Sequence, residues 1–124
     1  MYVFELGAGH MRLGYLVIQQ LLQQSYSLDN FPFRFILCDI CEEVVSNRSN
    51  AKCFEALIRK GFVDFSCWDC LSNNSNGIKL FVSGEIIKPG SIDTGLAVMS
   101  NYFFDSLPTD LYQWGDVHST SNGI

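Results

Sequence analysis

Tyr2-Val3-Phe4-Glu5-Leu6-Gly7-Ala8-Gly9 carries the strongest fold signal in the chain. A short apolar run broken by two closely spaced glycines reads as a buried strand ending in a tight turn. Immediately afterwards the period changes. Leu13, Leu16, Val17 and Leu21 fall at helical spacing, and Met11, Tyr15, Ile18 and Leu22 widen the stripe, which predicts a helix over 11–24. Strand, glycine turn and helix together open a parallel α/β sheet, whose ligands sit beyond the carboxyl ends of its strands.

The same grammar continues outward. Ser25 to Pro32 reads as a polar turn, and Phe33 to Cys38 as a second strand that ends in Asp39. A less regular helix is predicted over 42–60, with Val44, Val45, Phe54, Leu57 and Ile58 apolar, a break near Asn47 to Asn50, and Gly61 as its cap. Phe62 to Cys67 is a third strand ending at Trp68-Asp69, and an Asn-rich loop runs from Leu71 to Gly77. Ile78 to Val82 and Glu85 to Lys88 flank Ser83-Gly84, which predicts a hairpin with a two-residue turn. Leu96 to Ser100 is a fourth parallel strand, and Asn101 to Pro108 forms a loop or helix at its end. The expectation is a doubly wound, mostly parallel α/β sheet of about four parallel strands plus a hairpin, in one domain over 1–112 with a polar tail over 113–124. Strand 96–100 is apolar throughout and expects a neighbour on each side. An open outer edge there would invite self-association.

Composition narrows the function. The 124 residues are 48% hydrophobic and 17% charged, enough to build a core. A net charge of -5, with only 8 Lys and Arg scattered along the chain, argues against nucleic acid as a partner. No run approaches the length of a membrane span, so no membrane partner is expected. With no signal pattern and an odd count of 5 cysteines, the expected setting is cytoplasmic with reduced thiols, or the mitochondrial matrix if a targeting segment lies upstream.

Glu5-Leu6-Gly7-Ala8-Gly9 puts a carboxylate beside two glycines that let backbone approach a ligand. A dinucleotide fingerprint would place a third glycine where Arg12 stands and an apolar residue where Glu5 stands. Both differences point away from nicotinamide cofactors and toward S-adenosylmethionine (SAM), whose methionine ammonium is favoured by a nearby carboxylate. The segment Val3 to Gly9 resembles motif I of class I SAM-dependent methyltransferases, a Rossmann-like family. Asn101-Tyr102-Phe103-Phe104-Asp105-Ser106-Leu107-Pro108 is similar to the fourth-strand motif of the MidA-like branch, which includes protein arginine methyltransferases that assemble mitochondrial complex I.

The resemblance covers roughly residues 2 to 112. It implies SAM as cofactor, bound by Glu5, Gly7, Ala8, Gly9, Asp39, Ile40, Asp69, Cys70 and Asn101, with Asp39 on the ribose and Asp69 at the adenine. It implies methyl transfer to an acceptor such as a protein side chain, with Asn101 and Asp105 the candidates for a catalytic role. Three departures stand out: Met11 occupies a position where motif I usually has glycine, Asn101 one where MidA-like proteins have a carboxylate, and Asp39 lies 30 residues beyond Gly9. The family sheet has seven strands, so the chain is expected to be a fragment or a shortened member, inactive in isolation.

Other readings remain open on the residues alone. Asp39 precedes Ile40-Cys41-Glu42 and could cap a helix, Asp69 could begin a loop, and a non-catalytic remnant could serve as an interaction module. His10 reads as an incidental residue at a helix start. Cys38-Asp-Ile-Cys41 and Cys67-Trp-Asp-Cys70 have the form of zinc ligands. The 25 residues between the pairs exceed ribbon spacing, and Cys38 and Cys67 lie in apolar strand runs, so no metal is expected.

Overall fold

A computed structural model describes residues 1–72 and 76–108. Strands β1 (Tyr2–Leu6), β2 (Arg34–Asp39), β3 (Val63–Cys67) and β6 (Leu96–Ser100) form a parallel sheet in the order β3-β2-β1-β6. Between them run helices α1 (Arg12–Gln24), α2 (Glu42–Ser49) and α3 (Glu55–Arg59) and a two-stranded antiparallel hairpin, β4 (Ile78–Lys79) and β5 (Ile86–Ile87). The predicted α/β class, four parallel strands and a hairpin are therefore present. The polar tail, residues 109–112 and part of the Asn-rich loop lie outside the described residues.

Register assigns each side chain to a face. Val3 pairs with Phe35, and Phe35 with Val63, so these and their alternates Leu37 and Phe65 share one face. Ile18 of α1, Val45 of α2, and Phe54 and Leu57 around α3 pack on it in one buried core. On the opposite face Phe4, Ile36 and Cys38 pack against Leu80 and Ile87 of the hairpin. Among the described residues the helices thus cover one face and the hairpin part of the other.

The α1 stripe is rotated from the one read in the sequence. Its buried residues are Gly14 and Ile18, while Leu13 and Leu16 are 41% and 50% exposed. Gly14 is the cause. A Cβ there would collide with the Glu5 carboxylate and with Leu37, so the helix rests on the sheet through its glycine. The helix begins one residue late because Met11 has φ 58°, in the left-handed region that ends regular helix.

Three other segments depart from expectation, while a fourth, the irregular helix, breaks where the sequence placed the break. The turn before β2 is polar only in part, since Phe31 is buried and stacks with Phe35. The long helix is broken at Asn50-Ala51, followed by a 3-10 turn over Lys52–Phe54. The hairpin strands are two residues each, because beyond the Leu80 amide, which still donates to the Glu85 carbonyl, Phe81 to Ser83 turn away to bind the edge of β3. There the Phe81 amide donates to the Phe65 carbonyl at 2.7 Å, and buried Asp64 accepts from the amides of Val82 and Ser83 at 2.9 and 3.1 Å. Finally, β6 is not buried on both faces. Only β1 pairs with it among the described residues, and Leu96 and Val98 are 55% and 56% exposed.

No helix among the described residues is long and apolar enough to cross a membrane.

Candidate functional site

The strand order reverses direction between β1 and β6, and open α/β sheets bind ligands in the crevice beyond such a point. Leu6 pairs with Ser100, so Gly7 and Asn101 are the first residues past the sheet on either side of that crevice. Two cavities meet there, and both are lined by Gly7 and Asn101.

The first, of about 350 Å³, lies over the ends of the four strands and is lined by Asp39, Ile40, Asp69 and Cys70 in addition to that pair. Trp68, Tyr102 and Phe103 supply aromatic wall. Its size falls within the usual range for small-molecule sites, roughly 300–1,000 Å³. The second, of about 320 Å³, lies beside α1 and is lined by Glu5, Ala8, His10, Arg12, Leu13 and Leu16 as well. Leu13 and Leu16 are exposed because they face this space rather than the core.

The glycine turn is built for close approach. Gly7, Gly9 and Met11 all have positive φ, at 62°, 52° and 58°. A side chain at Gly7 would press on the Phe103 ring, its Cβ 3.0 Å from Cδ2. Met11 pays for its left-handed backbone, of order 1 kcal/mol, with a fully buried side chain in the helix-face core.

Asp39 ties this turn to the next strand. Its Oδ2 accepts from the Gly9 amide at 2.7 Å and its Oδ1 from the Cys41 amide at 3.0 Å. The helix-cap reading is corrected: the N-cap of α2 is Cys41, with no side-chain cap bond, and Asp39 stands two residues before it. Asp69 shapes its own turn by accepting from the Leu71 amide at 2.9 Å.

Glu5 lies on the helix face of the sheet and is 3% exposed. Its Oε2 accepts from the Gly14 amide at 3.0 Å. Burial pushes its carboxyl up to about 7, and the Gly14 hydrogen bond offsets only part of that.

Of the residues expected at the cofactor, Glu5, Gly7, Ala8, Asp39, Ile40, Asp69, Cys70 and Asn101 line one or both cavities. Gly9 lines neither and acts through its bond to Asp39. Asp105 is exposed on the 3-10 turn over Phe104–Ser106 and also lines neither, so the geometry leaves it without a place at the site. Phe104 likewise points away, 66% exposed. Trp68 is the wall residue that the sequence reading passed over, although its place beside Asp69 at a strand end was the available signal.

The cysteines divide. Cys38 is buried in β2, and desolvation pushes its thiol up to about 12, the Glu5 and Asp39 charges adding to the effect. Cys41 and Cys67 are exposed, and the Cys67 thiol donates to the Ile40 carbonyl at 3.4 Å. Among the described residues no three His, Cys, Asp or Glu side chains are grouped to hold a metal ion. His10 is at the surface, where Arg48 Nη2 lies 3.3 Å from its Nδ1.

A larger apolar groove of about 760 Å³ lies on the opposite face, between the hairpin and β6, lined by Phe4, Leu6, Trp68, Ile87, Leu96 and Val98 among others. Comparison of the chain with known protein families, with curated proteins and with solved structures gives no significant match.

Proposed function

We propose that this chain is the cofactor-binding part of a Rossmann-like, doubly wound SAM-dependent methyltransferase. The observation that carries the reading is the convergence of Glu5, Asp39 and Asp69, from three successive strand ends, on two neighbouring cavities that share Gly7 and Asn101 at the point where strand order reverses. The residues fit the group. Asp39 lines the cavity, and each of its oxygens, which accepts one backbone amide, has a further lone pair to offer a ribose hydroxyl; Asp69 and Cys70 border the place for the adenine, and the bare backbone at Gly7 admits close contact. Glu5 provides the counter-charge for the methionine ammonium. SAM would supply a sulfonium-bound methyl group. The chain's own share of the work is to bind, align and exclude water, which is why no nucleophile or base needs to stand at the centre. Asn101 lines both cavities, which supports it as the candidate to meet an acceptor. A protein side chain as acceptor and a cytoplasmic setting belong to the same proposal. Calorimetry with S-adenosylhomocysteine tests it: heat of binding on folded protein supports the reading, and its absence refutes it.

A second reading, that the chain serves as an interaction module, is favoured by one observation: the uncharged strand β6, paired among the described residues with β1 alone, exposes Leu96 and Val98. It expects concentration-dependent self-association that Val98→Lys abolishes in sedimentation experiments.

A further inference from the structure

Glu5 is a carboxylate in an environment that does not suit a charge. It sits on β1 between Leu37 of β2 and Met99 of β6, with Gly14 of α1 directly above it. Its only side-chain hydrogen bond among the described residues is the one from the Gly14 amide to Oε2. It belongs to no ion pair among them. Among the described residues no fully buried side-chain oxygen is left without a partner, so Oε1, which accepts no hydrogen bond there, is not sealed off, and Glu5 lines the cavity beside α1.

The charged and titratable groups near it are few. Arg12, at the start of α1, and His10, in the glycine turn, line the same cavity, and neither bonds to Glu5. From β2 come Cys38 and Asp39. The thiol stays protonated at neutral pH, and the Asp39 carboxylate is held by the Gly9 and Cys41 amides. None of the residues of β6 can ionise.

A buried carboxyl in such a place is stabilised either by a proton or by a cation brought to it. We propose that the cavity beside Glu5 is a proton-exchanging subsite for a primary ammonium group, so that a ligand loads its ammonium end by displacing the proton from Glu5. This rests on the SAM reading and adds its regulation: loading is coupled to pH across the neutral range. The tendency of burial to hold Glu5 protonated up to about 7 supports it. An amino-acid α-ammonium, which stays protonated throughout that window, is the complementary partner.

The coupling predicts that affinity for S-adenosylhomocysteine rises roughly tenfold per pH unit between about pH 5.5 and 6.5, then levels off above about pH 7. Calorimetry in two buffers of different ionisation enthalpy should show close to one proton released at pH 6. 5′-Methylthioadenosine, which has the nucleoside but no ammonium, should bind with no such slope and release no proton. Glu5→Gln should flatten the slope for S-adenosylhomocysteine. The wild-type proton count stands as the test should that variant fail to fold. S-adenosylhomocysteine bound with equal affinity across this window and without proton release overturns the subsite while leaving the SAM reading intact. Failure of both ligands to bind overturns the two together.

Discussion

The carboxylate of Asp39 accepts a hydrogen bond from the Gly9 amide across 2.7 Å, joining the end of β2 to the glycine turn that follows β1. Two strand ends that a ligand would have to bridge are thereby fixed relative to each other before any ligand arrives. Preorganisation of this kind reduces the ordering cost of binding.

Asp39→Ala should therefore lower both stability and affinity. Loss of the part-buried charge-assisted bond from the Gly9 amide costs about 1.5–3 kcal/mol in folding, the exposed one from Cys41 adding little, and loss of the ribose contact costs a similar amount in binding of S-adenosylhomocysteine. Thermal melts and calorimetry on the same variant separate the two quantities. An unchanged affinity in a destabilised variant would reduce Asp39 to a structural tie.

Met11 offers a test of backbone strain. Glycine ordinarily destabilises relative to alanine, but at φ 58° the order should invert. Met11→Ala removes a fully buried side chain and should cost about 2–5 kcal/mol. Met11→Gly, which removes the same contacts and also the strain, should be more stable than Met11→Ala by about 1 kcal/mol. Denaturant unfolding of the two variants checks the order.

Glu5 should make the fold less stable as pH rises. Its carboxyl is raised from 4.5 in the reference state to about 7 in the fold, so the native state holds the proton more tightly. The stability this contributes is full below about pH 4.5, is lost as pH rises to about 7, and stays lost beyond. Glu5→Gln cannot titrate and should remove that part of the pH dependence. Melting temperatures of both proteins from pH 4.5 to 7.5 measure the difference. Parallel curves would show that Glu5 titrates normally.

The sheet was legible in the sequence because its strands are apolar runs punctuated by Gly7, Asp39, Asp69 and Asn101, and those punctuation marks are the residues the fold brings together. The α1 face was misread because hydrophobicity counted Leu13 and Leu16 but gave no weight to Gly14, whose missing side chain sets the contact. The hairpin was read as too regular because Asp64, inside a strand run, carries no local sign that it will capture the amides of Val82 and Ser83. Phe31 was hidden by polar neighbours, since burial there depends on Phe35 and Phe62, distant in sequence. Exposure of Leu96 and Val98 depends on what lies beside β6, which no local pattern encodes.

On the proposed reading the ligand site lies at the strand ends and not in the larger apolar groove. Titrating isotope-labelled protein with S-adenosylhomocysteine while following backbone amide resonances tests it directly. The amides of Gly7, Ile40, Cys70 and Asn101 should shift and saturate together. Shifts confined to Phe4, Ile87 and Val98, or no shifts in folded protein at saturating ligand, would contradict it.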